Sequence, residues 1–193
     1  LAWMWAASLV PPAYSMMGMA PLDYGGGSVP ATNSTHVHGA GAPAAGTRPV
    51  TDLVADAGRP ADVRVDLVAR QQPLTVGGRR LDGFTVNGAS PGPEIRARQG
   101  QLVEVRLCNE SVTAGVTLHW HGVAVPNAMD GVAGVTQDAV PPGGRFTYRF
   151  VVDRAGSFWY HAHQVSNPEV AGGLFGALVV LPATGVDQPV DVT

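Results

Sequence analysis

Apolar and polar residues alternate along much of the chain from Ala61 onward. Val63, Val65 and Leu67 alternate with Arg64 and Asp66, which is the period of a strand with one buried face. Similar runs predict further strands at residues 80–86, 94–98, 102–108, 117–121, 145–152, 157–163 and 174–181. Turn signals rich in Gly, Pro and Asn separate these runs, and no long helical period lies between them. The pattern predicts an all-β domain, an antiparallel Greek-key β-sandwich or barrel, over residues 61–182.

The chain before this domain has two parts of different composition. Residues 1–22 contain no Asp, Glu, Lys or Arg, but Pro11 and Pro12 interrupt the run and disfavour one continuous helix. Three interpretations of residues 1–10 stay open: the end of a transmembrane helix, a signal-peptide remnant, or an ordinary apolar segment. The first two place the rest of the chain outside the cytoplasm, secreted or in the cell envelope, and the first also implies a membrane anchor. Residues 23–60 are rich in Gly, Ala and Pro, and they predict a flexible linker that forms an irregular N-terminal extension.

Length and charge narrow the classes of function. A chain of 193 residues with 45% hydrophobic residues can bury one core, or at most two. The formal net charge of −3 excludes the strongly basic surface typical of nucleic-acid binding, so no nucleic-acid partner is expected. The 25 Gly and 16 Pro favour a turn-rich β fold. Residues 183–193 follow the last predicted strand and are interpreted as the start of an interdomain linker.

All six histidines occur in His-x-His pairs, at positions 36 and 38, 119 and 121, and 161 and 163. In a strand, residues i and i+2 point to the same face about 7 Å apart, so each pair presents two imidazoles side by side. The residues that alternate with the last two pairs include Leu118, Trp120 and Tyr160, whose burial stabilises the core. We therefore expect the later four histidines to face outward, on a surface that another domain covers.

The type of ligand atom narrows the range of possible metals but does not select one. Imidazoles without thiolate suit copper, zinc, nickel or iron, and two pairs together suit a multinuclear centre. His36 and His38 lie in linker composition and are interpreted as ordinary polar residues. Met16, Met17 and Met19 are interpreted as membrane-side packing, although soft thioethers leave a role in copper acquisition open.

Three segments together resemble a known family. They are His119-Trp120-His121-Gly122, then Met-Asp-Gly-Val at residues 129–132, and Trp-Tyr-His-Ala-His at residues 159–163. In this order they resemble the N-terminal cupredoxin domain of multicopper oxidases, which include laccases and bacterial copper-resistance oxidases. The resemblance extends over about residues 63–181 and implies a cupredoxin-like Greek-key sandwich.

The resemblance also implies roles for particular residues. His119 would bind the type 2 copper, and His121, His161 and His163 would bind the type 3 pair, of a trinuclear cluster that reduces dioxygen to water. Asp130 stands at an acidic position that hydrogen-bonds near the type 2 copper and assists proton delivery. Because four-electron reduction of dioxygen consumes four protons, a carboxylate beside the site can serve as a relay. An Asp before Gly in a turn is the alternative interpretation of Asp130.

Part of the catalytic machinery that the resemblance implies has no counterpart in this sequence. Electrons would enter at a type 1 copper held by Cys and His, but the single cysteine, Cys108, has no histidine near it. We expect that copper in a C-terminal cupredoxin domain of the intact protein or in a neighbouring subunit, and we expect the chain alone to be an inactive part of an oxidase. The reductant stays open among phenols, aromatic amines, Cu(I), Fe(II) and Mn(II). A relative of copper nitrite reductase and a non-catalytic cupredoxin scaffold are the alternatives.

Overall fold

Two four-stranded sheets face each other in the computed structural model, which describes residues 52–55 and 58–184. In chain order the strands are β1 (Val63–Gln71), β2 (Leu74–Val76), β3 (Arg79–Leu81), β4 (Phe84–Val86), β5 (Gly92–Arg98), β6 (Leu102–Asn109), β7 (Leu118–His121), β8 (Arg145–Val151), β9 (Gly156–Ala162) and β10 (Phe175–Leu181). One sheet has the order β4-β1-β6-β8, the other has the order β5-β10-β9-β7, and β2 and β3 form a separate hairpin. A 3-10 helix (Asn127–Met129) and a short helix α1 (Ser166–Ala171) are the helical elements within the strand-bearing region. The predicted all-β, cupredoxin-like sandwich is confirmed.

Two details of the predicted topology are wrong. The expectation of an antiparallel fold fails because β1 pairs with β6, and β5 with β10, in parallel. Each of these pairs is joined by a long path through the other sheet, which allows both strands to run in the same direction. The single strand predicted at residues 80–86 is two strands, because β3 turns back onto β2 while β4 joins β1.

The space between the sheets is filled by aromatic and branched aliphatic side chains. The Trp120 ring is fully buried, with its centroid 4.5 Å from that of Phe150 and 5.3 Å from that of Tyr148. Tyr160 is also fully buried, and its hydroxyl donates to the Pro93 carbonyl at 2.9 Å. These contacts fix the inner faces of β7 and β9. The residues that alternate with Trp120 and Tyr160 must therefore point away from the core.

The registers of β7 and β9 decide which outward residues meet. The strands pair antiparallel, with His119 opposite His161 and His121 opposite Trp159. His163 lies just past the end of β9, where its N–H donates to the Thr117 carbonyl at 3.0 Å. Directly opposite residues in such a pair have side chains about 5 Å apart. The register therefore gathers both histidine pairs on one patch.

The residues that precede β1 contact the domain where they are described. The Leu53 carbonyl accepts a hydrogen bond from the N–H of Ala128, and Arg59 forms an ion pair with Asp62 at 2.7 Å. No helix within the described ranges, 52–55 and 58–184, combines the length and apolarity needed to span a membrane. The apolar segment at residues 1–22, the methionine cluster, and His36 with His38 lie outside the described residues.

Candidate metal centre

Four imidazole rings lie together on the outer face of β7 and β9. The ring centroid of His119 is 5.9 Å from that of His121, 5.4 Å from that of His161 and 5.3 Å from that of His163. The centroids of His121 and His161 are 5.6 Å apart, and those of His161 and His163 are 6.1 Å apart. The structure therefore brings together all four histidines that the sequence singled out.

Backbone carbonyls orient two of these rings. The Nδ1 of His119 lies 2.9 Å from the Asp130 carbonyl, and the Nδ1 of His161 lies 2.9 Å from the Ala162 carbonyl. A carbonyl can only accept, so each Nδ1 carries the hydrogen and donates it. The Nε2 atom of each ring is then the unprotonated nitrogen, which carries the lone pair that can bind a metal.

The position of His121 completes a ligand set. Its Nδ1 lies 3.4 Å from the Nε2 of His161, which is within the span that two imidazoles can bridge when nitrogen–metal bonds are about 2.0–2.1 Å long. One ring nitrogen from each of His119, His121 and His161 lies within 4.8 Å of the other two. The donor set and its spacing thus fit a transition-metal ion such as copper.

Asp130 lies on the Nδ1 side of the His119 ring, which leaves the Nε2 of that ring to a metal. Its Oδ1 is 3.2 Å from His119 Nδ1, and its own carbonyl accepts from the same nitrogen. The 3-10 helix places it there, because the Asp130 N–H donates to the Asn127 carbonyl at 3.1 Å. The sequence-predicted acidic residue therefore contacts a candidate ligand rather than the metal position itself.

Gly131 permits this close approach of the Asp130 turn to β7. Its φ is +75°, and a Cβ there would lie 2.0 Å from the Leu118 carbonyl oxygen. No side chain fits such a space, and the conformation itself disfavours residues with a Cβ. The Asp130-Gly131 sequence is thus both the turn and the means by which Asp130 reaches His119.

The prediction that all four rings point outward needs a correction for His161. His121 is exposed and His119 and His163 are half-buried, but His161 is only 8% exposed. Trp159 covers it, with ring centroids 4.2 Å apart, and the other histidines surround it. His161 is therefore buried within the outer face and not among the aliphatic side chains of the core.

Burial and the neighbouring imidazoles favour the neutral form of two of these histidines, because they lower the pKa. Burial lowers the pKa of His161, and the neighbouring histidines lower it further, against an opposing effect of the Ala162 carbonyl. Burial also lowers the pKa of His163, with a further contribution from His119. The neutral form is the one that binds a metal ion.

Sequence reasoning gave no role to two residues at or near this patch. Trp159 and His161 are two residues apart on β9 and therefore point to the same face, and the Trp159 ring lies 5.1 Å from that of His121. The alternation along β9 was thus enough to place Trp159 beside the histidines. Glu169 lies on α1, six residues after His163, and is buried. A single Glu in a short segment carries no sequence signal of burial, so the structure was needed to find it.

The sequence profile of the multicopper oxidase family matches residues 67–185. The chain belongs to the multicopper oxidase family. Copper is the cofactor that this family implies, and the histidine cluster fits it. The match covers the whole strand-bearing region except the first part of β1.

Individual relatives agree with this assignment. The chain is 47% identical over 106 residues to an L-ascorbate oxidase of Cucumis sativus, and the aligned region covers 54% of this chain and 18% of that protein. It is 37% identical over 115 residues to copper resistance protein A of Pseudomonas syringae pv. tomato, covering 60% of this chain and 18% of that protein. A solved multi-copper oxidase from Pseudomonas thermotolerans superimposes with a TM-score of 0.61 at 37% identity, over 65% of this chain and 31% of its own. This multicopper oxidase chain therefore spans less than a fifth of the length of these two sequence relatives.

Proposed function

We propose that this chain is the N-terminal cupredoxin domain of an oxidase and supplies half of the ligands of a trinuclear copper site. His119 would hold the type 2 copper, and His121, His161 and His163 would hold the type 3 pair. Copper, when bound, supplies the one-electron chemistry that couples oxidation of a reductant to reduction of dioxygen to water. The observation that carries the proposal is the gathering of four imidazoles on one outer sheet face.

The chain's own residues prepare this site before metal arrives. The Asp130 and Ala162 carbonyls each hold one ring by its Nδ1 and leave its Nε2 to the metal, which removes rotational freedom that binding would otherwise cost. Trp159 covers His161 and limits access of water to that ring. The sheet behind the rings is fixed by the buried side chains of Trp120 and Tyr160.

Asp130 is proposed to hold a proton for the reaction. Its carboxylate is partly exposed and its Oδ1 lies 3.2 Å from His119 Nδ1. A group in this place can take a proton from solvent at Oδ1 and keep it beside the site, without occupying a ligand position. Dioxygen reduction to water consumes four protons, so a partly exposed carboxylate at this edge is useful to it.

The remaining parts of the oxidase are proposed to lie elsewhere. The single cysteine, Cys108, is on β6 of the opposite sheet, whereas a type 1 copper requires Cys and His together. We place that copper and the other half of the cluster ligands in a second cupredoxin domain or a neighbouring subunit that covers the histidine patch. An extracytoplasmic location follows from two of the three interpretations of residues 1–10.

The test compares His161→Ala with Ser157→Ala in the full-length protein. Both positions lie on β9 and have the same parity, but only His161 belongs to the cluster. We expect His161→Ala to abolish dioxygen consumption and lower the copper content, with the fold and the blue colour of the type 1 centre retained. Ser157→Ala is expected to match the unaltered protein in both measurements.

Three results would contradict the proposal. A normal rate of dioxygen reduction in His161→Ala would show that the cluster is assigned to the wrong residues. Copper-free, colourless full-length protein would indicate a non-catalytic scaffold. Turnover of nitrite in place of dioxygen would indicate a relative of copper nitrite reductase.

A further inference from the structure

Glu169 is a carboxyl group buried without a partner. The residue is 1% exposed, and neither carboxyl oxygen has a hydrogen-bond partner among residues 52–55 and 58–184. An ionised carboxylate in such surroundings is costly, because neither solvent nor a cation compensates its charge. The buried position therefore favours the neutral acid.

The helix that carries Glu169 has little room to rearrange. α1 packs against β9, and Gly172 follows it directly. A Cβ at Gly172 would lie 2.6 Å from the Phe84 ring and 2.7 Å from the Pro168 carbonyl oxygen. The C-terminal end of α1 thus lies close against β4, which limits the movement of the helix as a whole.

Among the described residues, no charged group shifts the pKa of Glu169, and this includes Arg79, Arg80 and Asp82 of the β2–β3 hairpin and the turn after it, a region that contacts the residues following α1. Glu169 is the only titratable residue of α1, and β4 and β10 contain none. The titratable residues of β9 and its C-terminal extension are Tyr160, His161 and His163, and none of them shifts the pKa of Glu169. Burial raises the pKa of Glu169 to about 7, against the opposing effect of the Val165 N–H, which does not reach hydrogen-bonding geometry.

Backbone hydrogen bonds connect α1 to the histidine patch. The Leu174 N–H donates to the Glu169 carbonyl at 2.9 Å, and the Ala162 N–H donates to the Leu174 carbonyl at 3.0 Å. The Ala162 carbonyl in turn accepts from His161 Nδ1 at 2.9 Å. Three consecutive hydrogen bonds therefore link the residue that bears the buried acid to the orientation of the His161 ring.

We propose that Glu169 is a pH-sensitive positioning residue: the neutral acid keeps α1 docked, and the carboxylate loosens α1 and the hydrogen bonds that orient His161. The importance of His161 rests on the proposed function, but the switch itself does not need copper. Its effect on folding has a defined sign. Because the pKa in the folded chain lies above the ordinary value of 4.5, the folded state binds more protons between pH 4.5 and 7, and stability falls as pH rises through this range.

The first experiment measures unfolding by urea from pH 4 to pH 8 for the metal-free 193-residue chain and its Glu169→Gln variant. Glutamine resembles the neutral acid in shape but cannot ionise. A pKa that moves from 4.5 to about 7 implies a rise of about 300-fold in the unfolding equilibrium constant of the unaltered chain relative to the variant by pH 8. The control is Glu94→Gln on β5, where the carboxylate is exposed to solvent and forms an ion pair with Arg96, so no comparable rise of the ratio is expected.

The second experiment locates the change. Amide hydrogen exchange at Ala162 and Leu174, corrected for the intrinsic effect of pH, should lose protection at pH 8 in the unaltered chain and keep it in Glu169→Gln. If the variant does not fold, a carbon-13 titration of the Glu169 carboxyl in the unaltered chain decides the matter, with a midpoint near 7 expected.

Any of three outcomes overturns the proposal. A stability ratio that does not change with pH, or a carboxyl midpoint near 4.5, would show that Glu169 is not held neutral. A change of global stability with unaltered protection at Ala162 and Leu174 would show that the acid does not act on His161. Because no measurement uses copper, these failures are distinguishable from failure of the proposed copper site.

Discussion

Replacing Gly131 by alanine tests whether the Asp130 turn holds the histidine patch in place. A Cβ on residue 131 would lie 2.0 Å from the carbonyl oxygen of Leu118, 2.5 Å from its carbonyl carbon and 3.1 Å from the backbone nitrogen of His119. These are backbone atoms and cannot rotate away as a side chain can. The turn must therefore move off β7, and the Asp130 carbonyl must move with it away from His119 Nδ1.

The loss of folding free energy expected for Gly131→Ala has two components. A residue with a Cβ in the left-handed conformation, at φ +75°, costs about 1–2 kcal/mol. Overpacking against a fixed neighbour adds about 1–3 kcal/mol. We therefore expect Gly131→Ala to lower the free energy of unfolding by about 2–5 kcal/mol.

Gly143 provides a matched control, because it isolates the conformational component. Its φ is +79°, almost the same as that of Gly131, but a Cβ there would have no atom of the described part of the chain within 4 Å. Gly143→Ala should therefore cost only about 1–2 kcal/mol. Urea unfolding of the metal-free chain measures both variants, and proton–nitrogen NMR of His119 reports whether the hydrogen on Nδ1 is still bound to the Asp130 carbonyl.

Equal destabilisation by the two alanine substitutions would refute the steric argument at Gly131. Retention of the His119 hydrogen bond in a destabilised Gly131→Ala would refute the coupling between the turn and the ring. In the full-length protein, the same coupling predicts weaker copper binding in Gly131→Ala and unchanged binding in Gly143→Ala.

Two further substitutions test the support of the sheets. Tyr148→Phe removes the hydroxyl that accepts a hydrogen bond from the Leu118 N–H at 2.8 Å. Because the buried N–H then has no partner, urea unfolding should show a free energy of unfolding lower by about 1–3 kcal/mol. An unchanged stability would contradict this role of the hydroxyl. Burial raises the pKa of Glu104, but hydrogen bonds from Arg106 and Arg149 lower it more, so the net pKa lies below the ordinary 4.5. The stability that this carboxylate contributes is present above pH 4.5 and is lost as pH falls through the lowered pKa, so Glu104→Gln should be less stable at pH 7 and should lose less stability below pH 4.5. Parallel unfolding curves of the two proteins across that acid range would contradict the role of Glu104.

The alternation of apolar and polar residues along the chain was enough to predict most of the strands and the sheet face on which the histidines lie. Strands β6, β9 and β10 begin and end within about two residues of the predicted ranges, because their inward residues are large and apolar. The hairpin of β2 and β3 was not predicted correctly because several of its residues are exposed and give no clear period. The parallel pairings depend on which sheet each strand joins, and local alternation carries no information about that choice.

The burial of His161 and the partners of the rings could not be read from the sequence. Parity predicts that His161 and Trp159 share a face, but not that the Trp159 ring covers its neighbour. The family resemblance singled out Asp130, but the contact to His119 depends on a backbone approach that only three-dimensional packing creates. The sheet face to which a side chain points is set by the local strand geometry, whereas its burial and its hydrogen-bond partners are set by the tertiary contacts that the loops make.

The two carbonyls that orient the cluster come from different kinds of structure, and this difference has a consequence for how the site fails. The Ala162 carbonyl belongs to β9, so it is as stable as the sheet and the helix α1 behind it. The Asp130 carbonyl belongs to a turn between β7 and β8 that contacts β7 through Gly131. Loops open locally at lower free energy than central strands. His119 should therefore lose its orientation before His161 when the domain is perturbed by heat or denaturant, whereas His161 should respond first when Glu169 ionises.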